Sequence, residues 1–187
     1  MQHQKILAMA RIALFAALIS VCAILSVPLP LTAVPVSLLT LGLFLAGGLL
    51  SPGEAAAAAA IHLLLGAVGV PVFSGFRSGV GTLLGPTGGY LLAGPLVAAI
   101  IAWISRYVKK NALGVVIQAS ALVAGLAVCY LGGTAMYCAL NHISFLQGYL
   151  LCVQPFLFAD LCKIVAAMLI LFAVRAALSH QSWYRKA

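Results

Sequence analysis

A glycine-rich stretch from Gly66 to Gly94, GAVGVPVFSGFRSGVGTLLGPTGGYLLAG, divides this chain between long apolar runs. Glycines at positions 66, 69, 75, 79, 81, 85, 88 and 89, with prolines at 71 and 86, exclude one continuous helix there. Each glycine costs backbone entropy, and each proline removes a donor from the i to i−4 ladder. The flanking runs are apolar enough for a bilayer: 65% of the 187 residues are hydrophobic and 6% are charged, against roughly 25% charged in a soluble domain. The chain is therefore read as an all-α integral membrane protein interrupted by an irregular segment. Irregular backbone at membrane depth needs protein or a wet cavity around it, because lipid leaves its N–H and C=O groups unsatisfied. A gate or a ligand pocket is expected at this stretch.

Charge narrows the chemistry further. Glu54 and Asp160 are the only acids, which leaves little room for two-carboxylate catalysis or an acidic metal cage. The net charge of +8 does not point to nucleic acid, since the cations form no stripe and sit at the ends of apolar runs; an anionic lipid surface is the better counterpart. Cysteines 22, 129, 138, 152 and 162 show no CxxC spacing and no matching histidine pair, so they are read as small buried hydrophobes rather than zinc ligands or disulfides. No GxxxxGK[ST] motif is present and no lysine follows a glycine, so the chain has no P-loop of its own.

Six apolar runs can be traced in order. Ile12 to Val27 resembles a secretory signal, but nothing soluble follows it, so it is read as the first transmembrane helix. Ala10, Ala13, Ala16 and Ala17 give that helix a small-residue face, which permits close approach of another helix, in the first instance one of this chain. Pro28 to Pro35 is an uncharged connector, and Val36 to Leu50 is a second helix ending in a turn at Ser51-Pro52-Gly53-Glu54. Glu54 opens a third helix, where an acid suits the positive dipole end, and His62 within it is read as a packed, hydrogen-bonded side chain. Tyr90 to Ile104 and Ala112 to Leu131 make the fourth and fifth, the latter closed by Gly132-Gly133. Thr134 to Leu146, with Asn141 and His142, is assigned to the outer surface, and a sixth run extends to Leu178, broken at Gln154-Pro155.

The distribution of cations fixes an orientation. Six spans with a cytoplasmic N-terminus put Lys5, Arg11, Arg106, Lys109, Lys110, Arg175, Arg185 and Lys186 inside and only Arg77 outside. Both termini are then cytoplasmic, and the glycine-rich loop between the third and fourth helices faces out or re-enters. Tyr107, Trp103, Trp183 and Tyr184 are read as interfacial anchors.

Asp160 and Lys163 stand at i and i+3 on the last helix, on one face. A central Asp or Lys costs about 2.5 to 3.5 kcal/mol to insert, so such residues usually face a cavity and mark function. A self-neutralising pair that only packs the bundle is the bland alternative. Arg77 is either a solvated loop charge or a planar clamp for a carboxylate.

The run Leu83-Leu84-Gly85-Pro86-Thr87-Gly88-Gly89-Tyr90-Leu91, preceded by Gly69-Val70-Pro71-Val72-Phe73, resembles the signature of the BioY family, the biotin-binding S components of energy-coupling factor (ECF) transporters. The resemblance runs from the first helix to the Asp160/Lys163 pair. It implies a single transmembrane substrate-binding domain over residues 1–187 that takes biotin as a transported substrate, with no cofactor and no enzymatic reaction. It also implies a membrane coupling subunit and two ATPase subunits as partners, docked through Ala13 and Ala17, and a cell-membrane location. On this reading Asp160 accepts from a urea N–H, Lys163 donates to a ligand oxygen, and Tyr90, with Phe73 or Phe76, covers the apolar rings. Thr87, Gly88, Gly89 and Tyr90 follow from the matching motif, and Arg77 ranks below Asp160. An ion-coupled carrier using Asp160, a membrane enzyme and a purely structural subunit are the rival readings.

Overall fold

The computed structural model describes residues 2–27, 34–109 and 111–178. Pro28, Pro30, Lys110, Trp183, Tyr184, Arg185 and Lys186, to which the sequence assigned connector, charge and anchor roles, lie outside the described residues.

Helices dominate. They are α1 (Gln2–Ile24), α2 (Leu39–Leu49), α3 (Pro52–Ala67), α4 (Val80–Leu83), α5 (Gly88–Ser105), α6 (Ala112–Asn141), α7 (Phe145–Cys152) and α8 (Leu157–Leu178). Two-residue strands β1 (Ser26–Val27) and β2 (Val36–Ser37) pair antiparallel between α1 and α2, a small departure from the all-α expectation. Helices α1, α5 and α6, and the α7–α8 run, are long and apolar enough to cross a membrane; α2 and α3 are shorter apolar helices.

The short helix α2 sits at the centre. It is buried nearly all round, as a helix apolar on every face should be. Glycines let its neighbours approach: a Cβ on Gly42 would meet the Ile19 backbone of α1 at 3.0 Å, one on Gly47 the Ile101 side chain of α5 at 2.6 Å, and one on Gly48 the Leu171 side chain of α8 at 2.4 Å. At 11 residues it is only about 16 Å long. Segment 34–38, which precedes it, lines a cleft, the setting in which irregular backbone is tolerable in a membrane protein.

Helix α3 opens with a capping box between Ser51 and Glu54. Glu54 also receives Arg11 of α1 at 2.5 Å, so the dipole role read from the sequence is joined by an ion pair tying two helices. His62 is 2% exposed and its Nδ1 lies 3.0 Å from Ser20 Oγ on α1, the packed, bonded histidine expected.

Two boundaries differ from the sequence reading. Gly132-Gly133 does not end the fifth helix; α6 runs on to Asn141, with Thr134, Tyr137 and Cys138 buried. A Cβ on Gly133 would meet the Tyr90 ring at 2.2 Å, and one on Gly89 the Gly132 carbonyl oxygen at 2.4 Å. The pair of glycines is thus a docking place for α5, not a terminator. Of the five cysteines, Cys22, Cys129, Cys138 and Cys152 are buried as expected, but Cys162 is exposed on the surface of α8.

Candidate functional site

A cleft opens at the end of the bundle where α2, α5 and α8 begin and where α6 passes. Its cavity volume is about 70 Å³, well under the roughly 300–1,000 Å³ typical of small-molecule sites, so its walls stand close together.

Its floor is ionic. Asp160, in the first turn of α8, is 3% exposed and Lys163 is 7% exposed. Lys163 Nζ donates to Asp160 Oδ1 at 2.7 Å. The same oxygen accepts from Thr40 Oγ1 of α2 at 3.3 Å, and Oδ2 accepts from the Tyr130 hydroxyl of α6. Three helices therefore converge on one carboxylate. Charge-assisted bonds of this kind contribute about 1.5 to 3 kcal/mol each and offset the desolvation that burial imposes.

Tyr130 and Thr40 escaped the sequence reading. Each is one hydroxyl inside an apolar run, 30 and 120 residues from Asp160, with no spacing to connect them. A hydroxyl at membrane depth was the only available signal, and it does not name a partner.

One wall is built by the start of α5. Tyr90 donates to the Cys152 carbonyl oxygen at 3.2 Å and lies 3.5 Å from Thr134 Oγ1. Its ring occupies the space that Gly133 leaves, so the position of the phenol is set by two other elements, α6 and α7. Thr87, the residue before α5, also lines the cleft and makes no capping bond with its side chain.

The glycine-rich loop forms the lip. It is neither one helix nor formless: a 3-10 turn at Ser74–Phe76 and the single turn of α4 interrupt it. Phe73 N donates to Arg77 O at 3.0 Å, closing a tight loop whose tip carries Gly75 and Phe76 at positive φ. Gly79 N donates to Gly66 O at 2.7 Å and anchors the loop to α3. Phe73 is 1% exposed, its ring set edge-on to His62 with centroids 5.5 Å apart and lying over Gly66, where a Cβ would stand 2.0 Å away. Exposed Arg77 stands at the mouth.

The cleft thus brings together Asp160, Lys163, Tyr90, Thr87, Phe73 and Arg77. Five other sequence candidates are elsewhere. Phe76 is 69% exposed at the loop tip and does not line the cleft. Gly88 and Gly89 are buried where α5 meets the loop and α6: a Cβ on Gly88 would stand 1.8 Å from the Leu83 carbonyl oxygen, so both glycines act in backbone packing rather than in the lining. Ala13 and Ala17 lie on the exposed face of α1, with Ala10 beside them, whereas Ala16 alone of that set turns inward. The expectation that this small-residue face packs within the chain fails for those three residues.

Such a cleft, with one buried ion pair, several hydroxyls and an aromatic wall, is suited to an amphipathic small molecule with hydrogen-bonding groups at its inner end. A sequence model of the BioY family matches residues 1–180. The chain is 33% identical over 184 residues to Biotin transporter BioY2 of Lactococcus lactis subsp. cremoris (strain MG1363), covering 98% of each. It is 39% identical over 159 residues to Probable biotin transporter BioY of Pyrococcus horikoshii, covering 85% of this chain and 90% of that one. In three dimensions it matches a crystal structure of the S-component for biotin from an ECF-type ABC transporter, with a TM-score of 0.83, 25% identity and 94% of each chain covered. Matched along nearly its whole length in sequence and in fold, the chain belongs to the BioY family.

Proposed function

We propose that this chain takes up biotin as the membrane-embedded S component of an ECF transporter, binding the vitamin from outside and releasing it inward. The observation that carries this reading is the buried Asp160–Lys163 pair, held by Thr40 and Tyr130 at the floor of a cleft lipped by the glycine-rich loop. The relatives named above, transporters and not enzymes, supply the ligand. Biotin is the cargo and no cofactor is required.

Biotin carries a cyclic urea at one end, a carboxylate at the other and an apolar body between. The urea is assigned to the floor, where Asp160 accepts from its N–H and Lys163 donates to its oxygen. Tyr90 and Phe73 flank the apolar rings, Thr87 offers a hydroxyl along the way, and Arg77 at the mouth meets the carboxylate with its planar fork. Gly88 and Gly89 serve the site through the close packing that fixes Tyr90.

Residues 1–187 are assigned to one transmembrane substrate-binding domain of six spans in the cell membrane, with the loop between the third and fourth spans outside and both termini cytoplasmic. Cation placement supports this: among the described residues Arg11, Arg106, Lys109 and Arg175 line one end of the bundle, and Arg77 the other. The coupling subunit docks on the exposed Ala13/Ala17 face, and two ATPase subunits drive the cycle.

The test is equilibrium binding of biotin to the detergent-purified chain, with riboflavin and thiamine as controls and Asp160→Ala in parallel. Biotin alone binds, and the variant loses high-affinity binding while still inserting into the membrane. Equal binding of all three vitamins, or unchanged affinity in the variant, removes this cleft as the biotin site.

A further inference from the structure

The opposite end of the bundle carries a second and larger cleft, of about 1330 Å³. Arg11, Arg106, Lys109 and Arg175 face it against the single acid Glu54, while Phe15, Val115 and Phe172 give it apolar walls. We infer that this cleft is a binding site for an anionic phospholipid, its phosphate held by Arg106 and Lys109 and its acyl chains laid along the apolar wall.

Such a site depends on the chain's place in a membrane and not on the identity of the vitamin. The chain has two carboxylate side chains in all, and both are engaged in ion pairs, Glu54 with Arg11 and Asp160 with Lys163. No side-chain carboxylate remains for Arg106 or Lys109, and both are exposed, so they stand open to an anion from outside the chain. Arg106 is also held in position. Its guanidinium lies 5.1 Å from the Trp103 ring centroid and 4.9 Å from that of Tyr107, and it donates to the Tyr107 hydroxyl at 2.8 Å. Trp103 and Tyr107 are each 53% exposed, and exposed Trp and Tyr at the end of an apolar helix sit at headgroup depth. A guanidinium fixed there presents its remaining N–H donors to a phosphate in the geometry it binds best.

Arg175 closes the inner side of the cleft by donating from α8 to the Gly48 carbonyl oxygen of α2 at 2.5 Å. The turn that carries Lys109 is pressed on α6, where a Cβ on Gly114 would stand 1.8 Å from the Lys109 carbonyl oxygen. The cations are therefore mounted on packed elements, and the mixture of charge and apolar wall suits a lipid better than a small free anion.

Native mass spectrometry of the full chain, delipidated and offered equimolar phosphatidylglycerol and phosphatidylcholine, tests the site. The wild type retains phosphatidylglycerol in preference by about 30-fold, the scale set by two interfacial cations. The double variant Arg106→Gln/Lys109→Gln loses that preference and keeps its biotin affinity within twofold, which shows it folded. Equal retention of the two lipids by the wild type, or an unchanged preference in the double variant, overturns the proposal. Millimolar inorganic phosphate leaves the retained lipid in place; its displacement would reassign the cleft to a small anion. Failure here leaves the biotin assignment standing, because that site is at the other end.

Discussion

Tyr130 and Thr40 hold opposite oxygens of one carboxylate: the Tyr130 hydroxyl donates to Oδ2 of Asp160, and Thr40 Oγ1 donates to Oδ1 at 3.3 Å. Lys163 shares Oδ1 at 2.7 Å. An ionised carboxylate offers about four acceptor positions, and three are filled from within the chain. One is left over, its direction set by the other three, and it is the position proposed above for a urea N–H of biotin.

Removing one of the three is expected to blur that direction. Tyr130→Phe keeps the ring and deletes the donor, so biotin affinity should fall by about 10- to 100-fold, the equivalent of a charge-assisted bond of about 1.5 to 3 kcal/mol. Titration calorimetry in detergent reads the change. Unaltered affinity would mean that Thr40 and Lys163 suffice to orient Asp160.

A structural part of the ion pair and its proposed binding part are separated by a pair of neutral replacements. Lys163→Met alone strands a buried carboxylate and should cost about 3 to 5 kcal/mol of stability, whereas Asp160→Asn/Lys163→Met removes both charges and should recover most of it. Neither variant should bind biotin tightly. Thermal unfolding alongside biotin binding checks both halves, and a double variant that binds like the wild type would reduce the pair to packing.

These residues also mark where the sequence was legible. Asp160 and Lys163 stood out because ionisable groups in apolar runs are costly and share a helix face at i and i+3. Thr40 and Tyr130 did not, since their roles depend on how α2 and α6 pack, which no local spacing records. The glycine loop was readable as non-helical from propensity alone, yet its 3-10 turn and the Phe73–Arg77 bridge are set by contacts with His62 and Gly66. Gly132-Gly133 misled because the penalty of glycine in a helix was weighed without the neighbour it admits. Tyr90 fills the space that Gly133 leaves, Ala93 and the Gly89 carbonyl lie over Gly132, and α6 continues past both.

That fit makes a prediction of its own. Gly133→Ala would place a Cβ 2.2 Å from Tyr90 Cε1, so the ring must leave its place and with it the bond to the Cys152 carbonyl oxygen. Loss of about 1 to 3 kcal/mol of stability is expected from overpacking, with biotin affinity reduced through the displaced wall. Gly53→Ala, which meets nothing within 4 Å, is the control and should be neutral or slightly stabilising. Equal behaviour of the two variants would show that Tyr90 has room to spare.

The last prediction concerns the face that the fold leaves open. Ala10, Ala13 and Ala17 are exposed along α1, while Ala16, Ile19 and Ala23 of the same helix are buried at 2%, 0% and 0% exposure. A bulky residue there projects from the exposed side of the helix and would hold apart any helix that packs on it by close backbone approach. Ala13→Trp/Ala17→Trp should therefore bind biotin within twofold of the wild type and yet fail to copurify with a coupling subunit when the two are coexpressed. Intact copurification would move the partner to another face of the bundle. Lost biotin binding in the isolated variant would mean instead that α1 supports the cleft from this side, against the exposure that Ala13 and Ala17 have.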